Sequence, residues 1–201
     1  MPNAYLQRRC LSALVLLCLS LAGAGSARAQ SKYLTRAGRV TFFSASVMED
    51  IEARNEEAAA VVDLATAQLA FSIPIRAFKF KRTLMQEHFN ESYMESEKFP
   101  KSTFSGKFID LSPETLQMPG PHQVQVEGDL TIHGVTKRVT VPASLEIKEG
   151  RILAFALFTI APADYGVAVP LLVRDHSGKV VSIRVALACD AVTSAPSRAS
   201  N

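Results

Sequence analysis

The chain has 201 residues, of which 48% are hydrophobic and 20% are charged, so it can bury a core and a wholly disordered chain is excluded. Its length favours a single domain. The 22 Lys and Arg residues exceed the 19 Asp and Glu residues by only three, too small an excess for a protein that binds nucleic acid through a basic surface.

Residues 1–29 have the pattern of a secretory signal peptide. Arg8 and Arg9 precede an apolar run over residues 11–21, and the small-x-small triplet at residues 27–29 is typical of a cleavage site. The alternative, a transmembrane anchor, needs about 20 apolar residues, roughly twice the length of this run. The sequence therefore predicts export to a bacterial periplasm or to the exterior, with no integral membrane span in the mature chain.

Cleavage would remove three basic residues and leave 19 positive against 19 negative charges. It would also remove Cys10 and Cys18, so that Cys189 would be the only cysteine and no internal disulfide could form. A mature chain of about 170 residues can bury about 70% of its surface and be stable without one. We interpret Cys189, at the end of an apolar face, as inert core packing.

Alternation of apolar and polar residues with a period of two predicts most of the remaining elements. A strand is expected over 40–48, and the clearest alternating runs lie at residues 69–75, 104–109, 124–132, 139–147 and 181–189. Residues 152–160 are apolar on both faces, which predicts a strand that is covered on both sides. His133-Gly134 and Glu149-Gly150 connect neighbouring runs and predict hairpin loops.

Three segments break this pattern. Residues 83–94 predict one short helix packed over the strands, with a stripe formed by Leu84, Met85, His88, Phe89 and Tyr93. The acid-rich stretch 49–60 is compatible with a helix or with the tip of a long hairpin, and the sequence leaves both open. Residues 193–201 are rich in Ser, Ala and Pro and predict a disordered tail.

Several antiparallel strands at spacings of about 10 to 15 residues are typical of a barrel or a sandwich. Within them, the stretch 128–137, Gly-Asp-Leu-Thr-Ile-His-Gly-Val-Thr-Lys, followed by Val139 and Val141-Pro142, resembles the signature hairpin of the YceI-like family. Residues 88–104 are similar to that family's short helix and to the strand entry after it. Ala163-Asp164-Tyr165-Gly166-Val167 is similar to a further family segment.

The resemblance spans roughly residues 36–192 and implies an all-β domain over residues 30–192, an antiparallel lipocalin-like barrel of about eight strands with one short helix. It also implies a non-catalytic protein that holds a polyisoprenoid or related amphiphile in the lumen. Residues 32–40 depart from the pattern with which members commonly begin, because the Asp and the His-Ser pair are missing.

The apolar faces of the predicted strands supply the side chains that would line such a lumen. They are Phe71, Ile73, Phe104, Phe108, Leu130, Ile132, Val139, Val141, Val181, Ile183 and Val185. An eight-stranded barrel is at the size where side chains either fill the interior or leave room for one small ligand. The alternative hypothesis is therefore a structural or interaction protein of the cell envelope with a filled barrel and no bound lipid.

Lys79, Lys81 and Arg82 interleave with Phe78 and Phe80. Such a run is compatible with a single-stranded nucleic-acid site, with a strand end whose Phe side chains point inward, or with a cluster that neutralises an anionic head group at the barrel mouth. The neutral mature chain and its predicted export disfavour the first. His133, in the predicted hairpin loop, is either a turn residue whose ring bonds nearby backbone or another head-group contact.

The sequence predicts no catalytic site, metal site or cofactor. The four histidines lack the close spacing of a metal motif, and no G-x-S-x-G elbow is present. The acidic run at 49–57 is typical of a solvated face. An enzyme would instead require a polar cluster around His88 or His133. The oligomeric state stays undetermined by the sequence.

Overall fold

The computed structural model describes residues 31–45, 50–109, 111–168 and 180–192. The strands in these ranges are β1 (Lys32–Ser44), β2 (Ile51–Asp63), β3 (Gln68–Pro74), β4 (Lys79–Phe80), β5 (Lys101–Phe108), β6 (His122–Ile132), β7 (Val135–Lys148), β8 (Arg151–Ile160) and β9 (Val181–Ala191). The predicted signal peptide, 1–29, and the predicted tail, 193–201, lie outside the described residues.

Within the described ranges, helical structure consists of two α-helices, one π-helical turn and two 3₁₀ turns, all of them short. The two α-helices are α1 (Thr83–His88) and α2 (Pro113–Gln117); one π-helical turn, Phe89–Tyr93, follows α1, and 3₁₀ turns lie at Ile75–Ala77 and Pro162–Tyr165. The second helix begins where the Ser112 hydroxyl accepts a hydrogen bond of 3.2 Å from the Thr115 amide.

Eight of the strands close into one antiparallel barrel. The sheet runs in the order β1-β9-β8-β7-β6-β5-β3-β2, and the pairing of β1 with β2 completes the ring. The two-residue strand β4 pairs with β2 beyond the end of β3. The predicted antiparallel barrel of about eight strands is confirmed. Among the described residues, closure gives each of the eight strands two neighbouring partner strands.

The acid-rich stretch forms strand β2, and it is not a helix. Ala53 and Asn55 point into the barrel and are buried, whereas Glu52, Arg54 and Glu56 alternate with them on the outside. From Ala53 to Ala60 the inward residues are small or polar, so the alternation of faces is not visible there as an apolar pattern. The strand continues to Asp63 and pairs with β1 as a long hairpin.

Strand β8 corrects one prediction. Its outward Phe155 and Leu157 are 42% and 52% exposed, so the expectation that this strand is covered on both sides is wrong. Ile152 and Phe158 point inward, opposite the inward residues Cys189 and Ile183 of β9. A single closed sheet has one dry face, and no second layer covers β8 among the described residues.

The helical segment, residues 83–94, corrects a second prediction, the stripe of five side chains packed over the strands. Met85, Phe89 and Tyr93, four residues apart, face the barrel, but Leu84 is 62% exposed and His88 is also exposed. Because α1 has only six residues before the π turn, the segment rests on one narrow line of side chains, and the broader stripe that the sequence suggests is not buried.

The two ends of the barrel differ. We call the end with the β6–β7 hairpin and α1 the upper end, and the end with the β7–β8 hairpin and α2 the lower end. Both predicted hairpin loops are present, and φ is positive at both central residues of each, 50° and 76° at His133-Gly134 and 53° and 74° at Glu149-Gly150. The paired register of β7 and β8 ends at Ala143–Ala156, so these strands separate toward the upper end.

Cys189 is fully buried on β9. Burial raises the pKa of its thiol to about 11, and the neighbouring Asp190 contributes in the same direction. The thiolate is the nucleophile in alkylation and disulfide exchange, so near neutral pH this thiol is both protonated and shielded.

We therefore expect a chain carrying Cys10→Ser and Cys18→Ser to show no labelling by a thiol reagent in the native state at about pH 8. After unfolding in denaturant, one thiol should be labelled. The absorbance of the group that the thiol reagent releases on reaction measures labelling in the native and in the unfolded protein. Rapid labelling of the native protein would contradict the packing of Cys189.

Candidate functional site

An apolar cavity of about 190 Å³ occupies the upper half of the barrel lumen, and we call it the upper chamber. Side chains from β1, β2, β3, β4, β5, β6, β8 and β9 line it, together with the segment 75–94 and Pro162 and Val167. The polar side chains in this lining are Ser44, Ser102 and Tyr93. Such a lining favours hydrocarbon and would destabilise an unpaired charge.

Four phenylalanines form an aromatic wall on one side of the upper chamber. Phe89, from the π turn, lies 5.5 Å from Phe42, 5.6 Å from Phe78 and 4.9 Å from Phe80 between ring centroids. These separations are those of favourable tilted and stacked aromatic pairs. The wall therefore holds the segment that follows α1 against β1 and β4, and it gives the chamber its bulkiest lining.

A second cavity, the lower chamber, measures only about 60 Å³ and lies deeper in the lumen. Phe71, Leu130, Phe158 and Val185 line both chambers and separate them. Phe71 also stacks on Phe104 of the neighbouring strand, with ring centroids 5.2 Å apart. The lower half of the barrel is thus nearly filled by its own side chains, whereas the upper half is not.

The Phe104 ring lies against the barrel wall over two glycines. A Cβ placed on Gly106 would lie 2.7 Å from Cζ of Phe104, and one placed on Gly128 would lie 2.5 Å from the same atom. Side chains at these two inward positions would push the ring toward the barrel axis. The glycines therefore form a recess that keeps the ring out of the centre of the lumen.

Each of the predicted interior residues lines one or both of the two chambers. Ile73, Ile132, Val181 and Ile183 line the upper chamber, Phe104, Phe108, Val139 and Val141 line the lower, and Phe71, Leu130 and Val185 line both. Their contact with a ligand stays a prediction. Met85, Phe89 and Phe158 also line the lumen and were not predicted there, because the first two lie outside period-two strands and the third lies in a run that is apolar on both faces.

The predicted cationic cluster lies outside the chambers. Lys79, Lys81 and Arg82 are exposed, while the neighbouring Phe78 and Phe80 turn inward to line the upper chamber. This is the arrangement of a strand end with Phe inside and Lys outside. Contact of these cations with a ligand head group stays a prediction, and their position restricts it to a head group that remains at the chamber's outer boundary.

His133 also stands outside both chambers. Its Nε2 lies 2.8 Å from Oε2 of Glu95, and its side chain is 13% exposed. The ring meets Phe99 edge-on, with centroids 4.5 Å apart. The ring thus bonds a carboxylate from another part of the chain rather than the nearby backbone, a partner 38 residues away that local turn chemistry does not reveal.

Within the described ranges, no group of three His, Cys, Asp or Glu side chains is placed to hold a metal ion. The described histidines stand apart: His88 is exposed, Nε2 of His122 lies 2.9 Å from the Met118 carbonyl oxygen, and His133 contacts Glu95. In the same ranges, no helix has the length and apolar character needed to cross a bilayer.

A family model for the YceI-like domain matches residues 27–192. The fold is similar to BcnA from Burkholderia cenocepacia, at 18% identity and a TM-score of 0.63 over 75% of this chain and 95% of that one. It is also similar to a polyisoprenoid binding domain from Saccharophagus degradans implicated in plant cell wall breakdown, at 14% identity and a TM-score of 0.68 over 81% and 99%.

A third similar structure is the YCEI protein of Campylobacter jejuni, at 17% identity and a TM-score of 0.56 over 70% of this chain and 85% of that one. No curated protein matches the chain in sequence. At these identities the likeness between the structures concerns the fold alone, and the match of the family model covers most of the chain.

Proposed function

Because the chain belongs to the YceI-like family, we propose that it is a non-catalytic binding protein that holds an isoprenoid-type or other long amphiphilic ligand in the barrel lumen. The observation that carries this proposal is the upper chamber, a cavity walled by hydrocarbon and aromatic side chains inside a closed barrel. The fold shared with the polyisoprenoid binding domain of Saccharophagus degradans supports the ligand class. Burial of hydrocarbon needs no cofactor.

The size of the chamber determines how such a ligand is held. A protein cavity of about 150 Å³ lined by Leu, Ile and Phe stays dry and binds benzene, so about 190 Å³ accommodates a branched group a little larger. Each buried CH₂ contributes about 0.8 kcal/mol, against an association cost of about 4–15 kcal/mol. Strong binding therefore requires a longer chain.

The side chains between the two chambers set the route for that longer chain. Phe71, Leu130 and Phe158 line both cavities, so rotation of these side chains would join the upper chamber to the lower one. On this proposal the affinity rises with chain length until the joined lumen is full. The polar end of the ligand stays at the upper end, where Lys79 and Lys81 neutralise it if it is anionic.

The proposed location is outside the cytoplasm. The pattern of residues 1–29 supports export, and an amphiphile of low solubility needs a carrier in an aqueous compartment between or beyond membranes. The mature chain that we propose carries no net formal charge and no disulfide, so the hydrophobic core would provide its stability there.

Native mass spectrometry of the purified protein, with extraction and identification of any retained lipid, tests the proposal directly. Addition of geranylgeraniol should raise the midpoint of thermal unfolding, because a ligand at 100 times its Kd stabilises the folded state by about 2.7 kcal/mol. For a chain of this size that corresponds to a shift of roughly 5–11 °C. Geraniol, which is shorter, serves as the control and should give a smaller shift.

A protein that retains no lipid and gains no stability from geranylgeraniol would overturn the proposal and favour a structural or interaction protein. Two observations favour that alternative: the lower lumen is nearly filled, and Phe155 and Leu157 expose apolar surface on the outside of the barrel. The open upper chamber is what a filled barrel would lack, and for this reason we place ligand binding first.

A further inference from the structure

We propose that His133 is a positioning residue of the upper chamber: through Glu95 and Phe99 it fixes the segment that places Tyr93 and Met94 in the chamber lining. The inference rests on the proposed function for its effect on ligand affinity. Its structural part, the holding of the segment, can be measured without any ligand.

The loop of the β6–β7 hairpin packs against residues 95–99 through three contacts. His133 Nε2 lies 2.8 Å from Glu95 Oε2, and the His133 ring meets the Phe99 ring edge-on. Gly134 lets the backbone approach Phe99 closely, since a Cβ placed on Gly134 would lie 2.5 Å from Phe99 Cε1. The His133 side chain is 13% exposed and the Glu95 side chain is 44% exposed, so the histidine end of this contact is shielded from water while its carboxylate end is partly exposed.

Residues 95–99 directly follow two residues of the chamber lining. Tyr93 and Met94 precede Glu95 and both line the upper chamber, and Met94 is buried. Glu95 has a φ of 41°, a left-handed conformation that costs free energy for a residue with a side chain and persists where surrounding contacts hold it. His133, with a φ of 50°, shares this property. The bond between them therefore joins two residues whose backbone conformations depend on tertiary contacts.

The same hairpin also contacts a second segment, residues 162–167. Lys137 Nζ lies 3.1 Å from Asp164 Oδ1 and 5.9 Å from the centroid of the Tyr165 ring. This segment contributes Pro162 and Val167 to the chamber lining. Because Lys137 and Asp164 are 43% and 59% exposed, their pair is expected to be weak. The contact between His133 and Glu95 is the less exposed of the two, because the His133 side chain is 13% exposed.

The variant His133→Asn separates this role from hairpin formation. Asn tolerates positive φ, and Asn-Gly is the preferred loop for a two-residue hairpin, so the turn is retained while the shorter side chain no longer reaches Glu95. The matched control is Glu149→Asn, which creates the same Asn-Gly loop in the β7–β8 hairpin at the lower end. Each variant thus carries an Asn-Gly loop in one of the two hairpins, and only His133→Asn loses the contact with Glu95.

Hydrogen exchange followed by mass spectrometry is the first measurement. In His133→Asn, amides in residues 93–99 should exchange about tenfold faster than in the unmodified chain, a change of the size expected for loss of a hydrogen bond to a charged group. Strands β6 and β7 should keep their protection. The affinity for geranylgeraniol should fall about tenfold, and Glu149→Asn should change neither property.

Unchanged exchange of residues 93–99 in His133→Asn would overturn the inference, as would an equal acceleration in both variants. Glu95→Gln, which keeps the side-chain shape and removes the charge, should accelerate exchange in the same segment by a smaller factor. If the unmodified protein does not bind geranylgeraniol, the proposed function fails, while the exchange data still decide whether His133 holds the segment.

Discussion

Replacement of Ser102 with Phe is expected to abolish isoprenoid binding while the barrel stays folded. Ser102 points inward from β5, is buried, and lines the upper chamber. A phenyl ring needs about as much space as benzene, which occupies a cavity of about 150 Å³, so it would take most of the available 190 Å³. We expect the affinity for geranylgeraniol to fall by about 100-fold or more, equivalent to about 2.7 kcal/mol.

The matched control is Thr103→Phe. Successive side chains of a strand point to opposite faces, and Thr103 is exposed on the outside of the same strand. Titration of each variant with geranylgeraniol, followed by calorimetry, gives the affinities, and thermal unfolding shows that both variants are folded. Thr103→Phe should bind as the unmodified protein does. Undiminished binding by a folded Ser102→Phe variant would place the ligand outside the upper chamber.

Most strands of the barrel follow from local patterns, whereas the choice of a barrel over a sandwich came from the resemblance to the YceI-like family. In β6, Val124, Val126 and Leu130 alternate with exposed or half-exposed polar residues, and a one-residue shift of register would expose this whole face. The loop residues His133 and Glu149 each precede a glycine, and both adopt the positive φ that a tight hairpin requires. The sequence therefore predicted the inward side chains of each strand that has one buried and one exposed face, and it predicted the strand pairs that these two hairpin loops connect.

The shape of the lumen was not predictable in the same way. Phe89 joins the aromatic wall because the π turn after α1 aims it at Phe42, and neither period two nor a regular helix describes that segment. Leu84 and Met85 have similar hydropathy but opposite surroundings, and only the docking of the helix distinguishes them. Side-chain direction in irregular segments depends on tertiary packing, and sequence periodicity carries no record of it.

Interactions between distant segments were also invisible in the sequence. Asn55 is fully buried on β2, where its Nδ2 donates a hydrogen bond of 2.8 Å to the Pro74 carbonyl and its Oδ1 accepts one of 2.8 Å from the Glu57 amide. His133 likewise finds its partner in Glu95. Both residues occur in stretches that the sequence identifies as an acidic run and a turn, because Pro74 and Glu95, their distant partners, are brought near only by the tertiary fold.

Whether the lumen is open depends on where the Phe104 ring lies. The variant Gly128→Ala tests the position of that ring. A Cβ placed on Gly128 would lie 2.5 Å from Phe104 Cζ, 2.5 Å from the Ser105 carbonyl oxygen and 2.6 Å from the Gly106 Cα. The ring would have to leave its recess and β5 would have to shift. We expect the free energy of unfolding to fall by about 2–3 kcal/mol, and the midpoint of thermal unfolding to fall by about 4–12 °C.

A double-mutant cycle with Phe104→Leu separates the part of the destabilisation that comes from the Phe104 ring from the part that comes from the backbone of β5. Leucine has no ring to occupy the recess, so in its presence Gly128→Ala should cost less by about 0.5 kcal/mol or more, with a remaining cost from Ser105 and Gly106 of the neighbouring strand. Denaturant unfolding of the four proteins measures this coupling. Strictly additive effects would mean that the ring does not lie over Gly128, and a ring outside the recess would extend toward the barrel axis, where a long chain would have to pass between the two chambers.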